Sequence, residues 1–534
     1  MSVKPLLPED VLGKPIVVLV ELAYAGGTWR WSDGASPDDA PSAYLPMAEI
    51  AIDVVHPLLS SSPDNRVVPI EVYFPSDADI PALVEDGHDL AAATGEVAIW
   101  VDGRDYADRL VILRGRLQEP SYNDAGRVVG SLVENPYEDK AVFPEESAVI
   151  TAETWPNRDH ALDGRVFPWI FGSPGVYTAA NGGGDAYTTG SPALLVDTVT
   201  GNGYLMIAGH QVDASTVKVF KLSGTNSPVS ATLSVVHSKD ALGRVVSIVQ
   251  CEAGPGGVTK EAGANYWVRW NNGGGMPERH GSRAIRGGGE LILWWLERSS
   301  IRFDPAVWGN VAAQLDSYVF GGFIDDFVTP WEMVMYFLDL LPVSVVSSPA
   351  GAAPIVWRSD LQGSDVTAEI VDGEGAEIEG DIQYEGRDVI NELTLSFAAR
   401  ADSGDFLRTK TITGQPRLPQ ESRDVIRASF SRASYESFGV QAGSALESDW
   451  VWAEPTADQI LRAKAAYYAF PRRVVTFVCD SSWAHLRAGQ VVAVSSDRFS
   501  LDRRIGIVTA IAYIGALFRC SVQLQRSPSR PLAG

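Results

Sequence analysis

Apolar and polar residues alternate with period two through much of this chain, most clearly in GEVAIWVDGRDYADRLVILRGRL, residues 95–117. Two apolar runs flank an acidic break containing Gly103, the pattern of a hairpin whose strands each bury a face. Val97, Ile99 and Val101 fall on one side of the first run, with Ala98 and Trp100 on the other. Strict alternation puts Leu110, Ile112, Arg114 and Arg116 on one face of the return run and Val111 and Leu113 on the opposite one. Further strands are expected from Pro15 to Tyr24, around Trp29-Arg30-Trp31 after a Gly26-Gly27 turn, near 47–56 and 66–74, and from Arg127 to Glu134. Proline and acidic clusters, SPDDAPS and FPSDADIP, separate them. Such a run predicts an antiparallel barrel-like unit or sandwich over residues 1–155.

The pattern then changes several times. Residues 156–303 read as a second β-rich unit, opening RVFPWIFGSPG and holding the glycine-rich stretch NNGGGMPERHGSRAIRGGGE from 271. A helical insertion is expected at 304–345. Asp304 is placed to cap a helix with Pro305 at its first position, ended by Gly321-Gly322. Thr329, Pro330 and Glu332 form a capping box for a second helix through Trp331, Met335 and Leu338, stopped by Pro342. Strands return over 346–455. In 456–534, Thr456 and Gln459 predict a capped helix with Leu461, Ala465 and Tyr468 on one face, ended by Pro471 and followed by a C-terminal β-barrel segment. The fold class expected is therefore mainly β with minor α: several antiparallel barrel or sandwich domains and a small helical insertion. Fifty glycines, 32 prolines and 15 tryptophans fit short strands, tight turns and large aromatic core residues.

The net charge of −24 argues against general nucleic-acid binding, which needs clustered Lys and Arg. Residues 1–150 carry 26 Asp and Glu against 10 Lys and Arg, whereas residues 471–534 carry nine Arg against three Asp. Different solvated surfaces explain this most simply; a polar assembly with differently charged neighbours is the sharper reading. Cys251, Cys479 and Cys520 form no CxxC pair and read as buried, reduced thiols. No apolar signal region is visible at MSVKPLLPED, and no apolar run approaches the ~18 residues a membrane helix needs.

Candidate chemistry is sparse. The phosphate-loop spacing fails in EAGPGGVTK, where Lys260 follows Thr259. The histidines at 56, 88, 160, 210, 237, 280 and 485 form no HxH or HxxxH pair. Cys479 precedes His485 by six residues but closes a strand-like VVTFVC run, so a packed thiol is favoured over a nucleophile. Asp102, Asp105 and Asp108 have nearly the spacing of a calcium loop, yet the glycine is misplaced and the distal Glu missing, leaving a solvated turn. Tyr266-Trp267-Arg269-Trp270 and Trp294-Trp295, taken as strands, read chiefly as core, with a sugar-stacking platform as the alternative. No catalytic, cofactor-binding or metal-binding residue is assigned.

Four segments together resemble the hub protein at the distal end of long bacteriophage tails, the baseplate or tail-tip hub. They are the hairpin IWVDGRDYADRLVILRGRL with the following SLVENPYED, the domain opening RVFPWIFGSPG, the helix-then-barrel run TADQILRAKAAYYAFPRRVVTFVCDSSWAHLRAGQVVAVSSD, and the closing IGIVTAIAYIGALFRCSVQLQRSP. The resemblance implies a structural virion protein without enzymatic activity, made in the host cytoplasm and located at the distal tail. It implies a homotrimeric ring in which two barrel-like domains per chain give a pseudo-sixfold face. Implied partners are distal tail or tube ring proteins, the tape-measure protein, and central fibre or receptor-binding proteins, with genome DNA passing through unbound and no membrane anchor. The hub would close the tube and open a channel for DNA ejection. Some hubs of this kind carry a C-terminal cysteine cluster for an iron–sulfur centre; this chain lacks that cluster, so no cofactor is expected. Two alternatives stay open: a hexameric distal tail ring protein, and a carbohydrate-binding or polysaccharide-degrading tail protein using the Trp-rich segments.

Overall fold

The computed structural model describes residues 14–525 apart from 25–26, 47–50, 56–65, 74–84, 86–92, 123–126, 135–140, 176–189, 200, 214–215, 223–226, 229–232, 254–257, 259–264, 271–274, 276–283, 349–350, 359–360, 386–388, 401–403, 417–423, 481–482, 484–485, 488 and 515–516. Of the described residues, strands make up 47% and helices 18%, with several curled sheets, a closed six-stranded barrel and five helices, so the fold is mainly β with minor α.

The hairpin sits inside a seven-stranded sheet ordered Leu45–Pro46, Gly27–Ser32, Ile16–Tyr24, Thr94–Val101, Leu110–Tyr122, Arg127–Glu134, Arg66–Tyr73. Val97, Ile99 and Val101 are buried in one core and Ala98 and Trp100 in another, on opposite faces as the alternation requires. The return strand departs from strict alternation. A bulge shifts the register between Val97↔Leu113 and Ala98↔Val111. It puts Leu110, Leu113 and Leu117 into the same core and leaves Val111 on the other side. An extra residue on one strand reverses the face of everything beyond it, which period-two reading cannot detect.

The C-terminal sheet has eight strands. Its path runs Ala368–Val371, Val491–Ser496, Leu501–Ile514, Leu517–Leu524, Arg472–Cys479, Ala376–Ile378, with Gln383–Glu385 also pairing to Arg472–Cys479. The last partner comes from the other end of the chain: Ala51–Val55 pairs antiparallel with Leu501–Ile514, Ala510 opposite Val55 through Ile514 opposite Ala51. The apolar faces of the two sheets form one core, in which Val18, Val97, Leu113 and Leu132 belong to the same cluster as Val475, Phe477, Val508 and Val522. Cys479 and Cys520 lie fully buried within it as free thiols, and burial pushes the Cys479 thiol up to about 12.

The closed barrel lies in the middle of the chain. Its strands follow Thr216–Leu222, Leu233–Lys239, Val245–Glu252, Asn202–Ala208, Ser191–Val199 and Asn265–Trp270, the last pairing back to the first. Closure of this unit leaves no free edge among its six strands. Cys251 is buried inside it. Among the described residues the sheets at the two chain ends are open in their pairings and complete each other by packing.

Helices α1 (Gly288–Leu296), α2 (Pro305–Leu315) and α3 (Pro330–Leu340) form a cluster against the four-stranded sheet of residues 393–399, 406–413, 425–427 and 446–448. Helices α4 (Ser429–Phe438) and α5 (Glu454–Tyr468) flank that sheet. Trp294 and Trp295 are on α1 rather than a strand, and both are buried. Seven of its nine residues are buried, as expected of a helix apolar all round. Edge-to-face contacts join them to Phe143 at 5.3 and 5.1 Å and Trp294 to Phe171 at 4.9 Å. The α1–α2 approach requires Gly289, where a Cβ would lie 2.1 Å from the Ala312 carbonyl oxygen.

Two of the three expected helix caps are present, and the third is replaced by a tertiary contact. Asp304 accepts from the Ala306 and Val307 N–H groups with Pro305 following, but α2 ends at Leu315, well before Gly321. There Asp316 turns back to accept the Glu290 N–H of α1. Thr329 and Glu332 form the reciprocal capping box of α3. Helix α5 starts at Glu454, so Thr456 lies inside it, and its hydroxyl bonds to both the N–H and the carbonyl of Val319. A tertiary partner has taken the side chain that a local motif would have used.

Because the two end sheets share one core, Phe477→Ala should cost about 3–5 kcal/mol. It should also raise amide exchange in the Ile16–Tyr24 and Thr94–Val101 strands. Exchange that rises only between residues 472 and 524 would mean that the ends have independent cores.

Candidate functional site

A cleft lies where the closed barrel, the short Gly322–Ile324 strand, α3 and the 393–452 region meet. It is a cavity of about 400 Å³. On the Asn265–Trp270 strand, Tyr266, Val268 and Trp270 point into the barrel and are buried, and Trp270 Nε1–H donates to Ser191 Oγ at 3.0 Å. Alternation turns Trp267 outward, half-buried, into the cleft. Its ring meets Phe323 edge-to-face at 5.7 Å. Gly322 precedes Phe323 because a Cβ there would lie 2.2 Å from the Trp450 ring. The indole N–H of Trp452 donates to Gly321 O at 2.8 Å, fixing a second aromatic wall.

Polar groups converge at one side. The Tyr336 hydroxyl donates to Asp449 at 2.8 Å and is hydrogen-bonded to Ser448 Oγ at 2.8 Å. Burial, then the neighbouring Asp449 charge, hold this phenol well above its ordinary pKa, so it stays a donor. Glu447 and Asp449 are exposed and, with Arg400, line the same cleft. Aromatic faces bordered by carboxylates and a guanidinium can take up a polyhydroxylated ring, with C–H groups on the indoles and hydroxyls on the charged edge.

The hairpin acids do not converge. Asp105 is exposed, Asp108 pairs with Arg104 at 3.2 Å, and the loop is held by Asp39, which accepts the Tyr106 N–H at 2.9 Å. Behind it Glu21 accepts the hydroxyls of both Tyr44 and Tyr106 and lies 3.3 Å from Arg30 Nε. Among the described residues no group of three His, Cys, Asp or Glu could hold a metal ion, and no helix is long and apolar enough to cross a membrane. His56, His88, His280 and His485, Lys260 and most of the 271–289 stretch lie outside the described residues. His160 lies 3.6 Å from Asp163 at the surface, and His237 Nδ1 is 3.2 Å from Ser247 Oγ. Arg400, Asp449 and Trp452 had no signal in the sequence, because two segments remote from Trp267 in the chain bring them to it.

His210 has a structural task. Its Nε2 accepts the Ile170 N–H at 3.0 Å, Nδ1 lies 2.8 Å from Gln211 O, and the ring stacks on Trp169 at 5.1 Å. It thereby fastens the Trp169–Phe171 strand to the barrel.

No family model and no curated protein matches the chain. Among solved structures, it is similar to a tail protein from Neisseria meningitidis MC58, with 9% identity and a TM-score of 0.36 over 96% of this chain and 97% of that one. A chain of a native gene transfer agent virion shares 11% identity with a TM-score of 0.36, covering 71% of this chain and 89% of that one. A prophage tail protein from Listeria monocytogenes EGD-e shares 9% identity with a TM-score of 0.25, covering 61% and 91%. At such scores the likeness establishes neither a shared fold nor a shared function.

Burial lowers the His210 pKa to about 4, so the folded state binds this proton less readily than the unfolded chain does. Its contribution to stability is complete above the ordinary value near 6.5 and is lost as pH falls towards 4. Between pH 7 and 4.5 the His210→Gln variant should lose about 2 to 3 kcal/mol less stability than the parent in urea unfolding. Identical pH profiles would contradict this role.

Proposed function

We propose that this chain is a structural component of a phage-type tail, the hub of its tip or baseplate, acting by assembly and without enzymatic activity. The observation that supports this reading is the joining of the chain's two ends in one β body, through the Ala51–Val55 to Leu501–Ile514 pairing and the core behind it. Two sheets packed on one core in each chain would let three chains present six sheet faces to a sixfold tube. The four sequence segments similar to tail hubs lie mainly in these two units and at the start of the barrel domain. The acidic balance of residues 1–150 suits a wall past which DNA must slide, because like charge keeps phosphates from adhering. Partners would be the tube ring above, the tape-measure protein within, and fibres or receptor-binding proteins below.

Native mass of the purified chain and symmetry in images of assembled particles test this reading. Three copies in a ring at the tail tip are expected. Six copies would point to a distal tail ring protein, and absence from purified particles would overturn a virion role.

The cleft at Trp267 favours a second reading, in which the protein also contacts host glycan. Trp267→Ala should then weaken binding to a panel of neutral and acidic monosaccharides at least tenfold with the fold intact, since Trp267 is only half-buried. No binding by the parent chain would remove this reading.

A further inference from the structure

A second cavity, of about 310 Å³, opens where α5 runs into the Arg472–Cys479 strand, against the end of Leu517–Leu524. Arg472 lines it and is 9% exposed. Its guanidinium stacks on Tyr467 at 3.7 Å and reaches the Tyr468 ring at 4.9 Å, while one Nη donates weakly to the Tyr467 carbonyl at 3.5 Å. Among the described residues, Nε is buried and finds no acceptor, and no carboxylate pairs with the charge. The aromatic contacts do not meet that need. Ring faces attract a guanidinium from above or below its plane, whereas Nε–H points along the plane. An in-plane edge of Nε–H and Nη–H is the fork that a carboxylate fills with two parallel hydrogen bonds. A buried cation left without such a partner is unfavourable.

The neighbouring surface specifies more. Phe438, Phe470, Leu361, Ile507 and Leu524 supply apolar lining. Arg358 and Arg473 also border the cavity; Arg358 is paired with Asp365 at 3.2 Å, and Arg473 is exposed, so Arg472 is the buried guanidinium of the lining. One buried guanidinium in an apolar setting suits a single negative charge on a small apolar body better than a doubly charged phosphate.

We propose that this cavity binds an organic carboxylate, with the carboxylate against the Arg472 guanidinium and its apolar body against Phe438, Phe470 and Leu524. The site is independent of the tail reading and of the Trp267 cleft. The carboxylate can be a free small molecule or the acidic side chain of a second copy of this chain.

Calorimetric titration of the full chain with benzoate and with inorganic phosphate tests the proposal. Benzoate should bind once per chain, phosphate at least tenfold more weakly. Arg472→Met, which removes the charge and keeps the stem, should weaken benzoate binding at least tenfold. If that variant does not fold, Arg472→Lys, which keeps the charge and loses the fork, and Phe438→Ala, at an exposed position, should each weaken it severalfold. Failure of the parent chain to bind benzoate, or equal affinity in these variants, would overturn the proposal. Self-association of the chain that benzoate competes away would assign the carboxylate to a second copy; benzoate binding to a chain that stays monomeric would assign it to a free ligand.

Discussion

Burial of apolar strand faces from both ends of the chain in one core is the constraint on which the rest of the structure depends. Each end sheet has an apolar face too large to leave in water, and each covers the other's. The antiparallel pairing of Ala51–Val55 with Leu501–Ile514 fixes their relative position with backbone hydrogen bonds. The described residues between 141 and 352, and again between 389 and 466, must therefore leave this body and return to it. The closed barrel meets that demand by satisfying its own edges. The helical cluster meets it by packing aromatic residues around α1.

The same aromatic economy links the helical cluster to the candidate cleft. Phe143, Phe171, Trp294, Trp295 and Trp450 fill the space between barrel, helices and the 393–448 sheet. Trp267, Phe323 and Trp452 continue this layer outward until it reaches solvent and carboxylates. A rigid aromatic floor is what a weak ligand site requires, because little side-chain freedom is lost on binding. The Arg472 cavity uses a different device, a guanidinium held by tyrosine faces at the end of α5. Both cavities lie at junctions between units, where convex elements meet imperfectly.

The sequence made its local rules legible and left their tertiary competition hidden. Period-two alternation located the strands of the hairpin, and the Asp304 and Thr329 caps located two helix starts, because these signals act within a few residues. The bulge between residues 111 and 113 was invisible, since either face of the return strand offers apolar side chains. Thr456 carried a valid cap pattern, yet Val319 outcompeted the local N–H for its hydroxyl. Trp294-Trp295 looked like strand because bulky aromatics favour sheets, and burial on every side permitted a helix instead.

By itself, then, the sequence determined the β-rich class, the placement of the N-terminal strands, two helix caps and the buried character of the three cysteines, all of which follow from short-range periodicity and residue polarity. Only the tertiary structure decided that the closed barrel stands in the middle, that residues 51–55 join a sheet some 450 residues away, and that Trp267 and Arg472 each border a cavity. Those outcomes depend on which apolar faces find each other in space. Sequence separation does not encode that choice, because the hydrophobic effect rewards area removed from water without regard to which segment covers it.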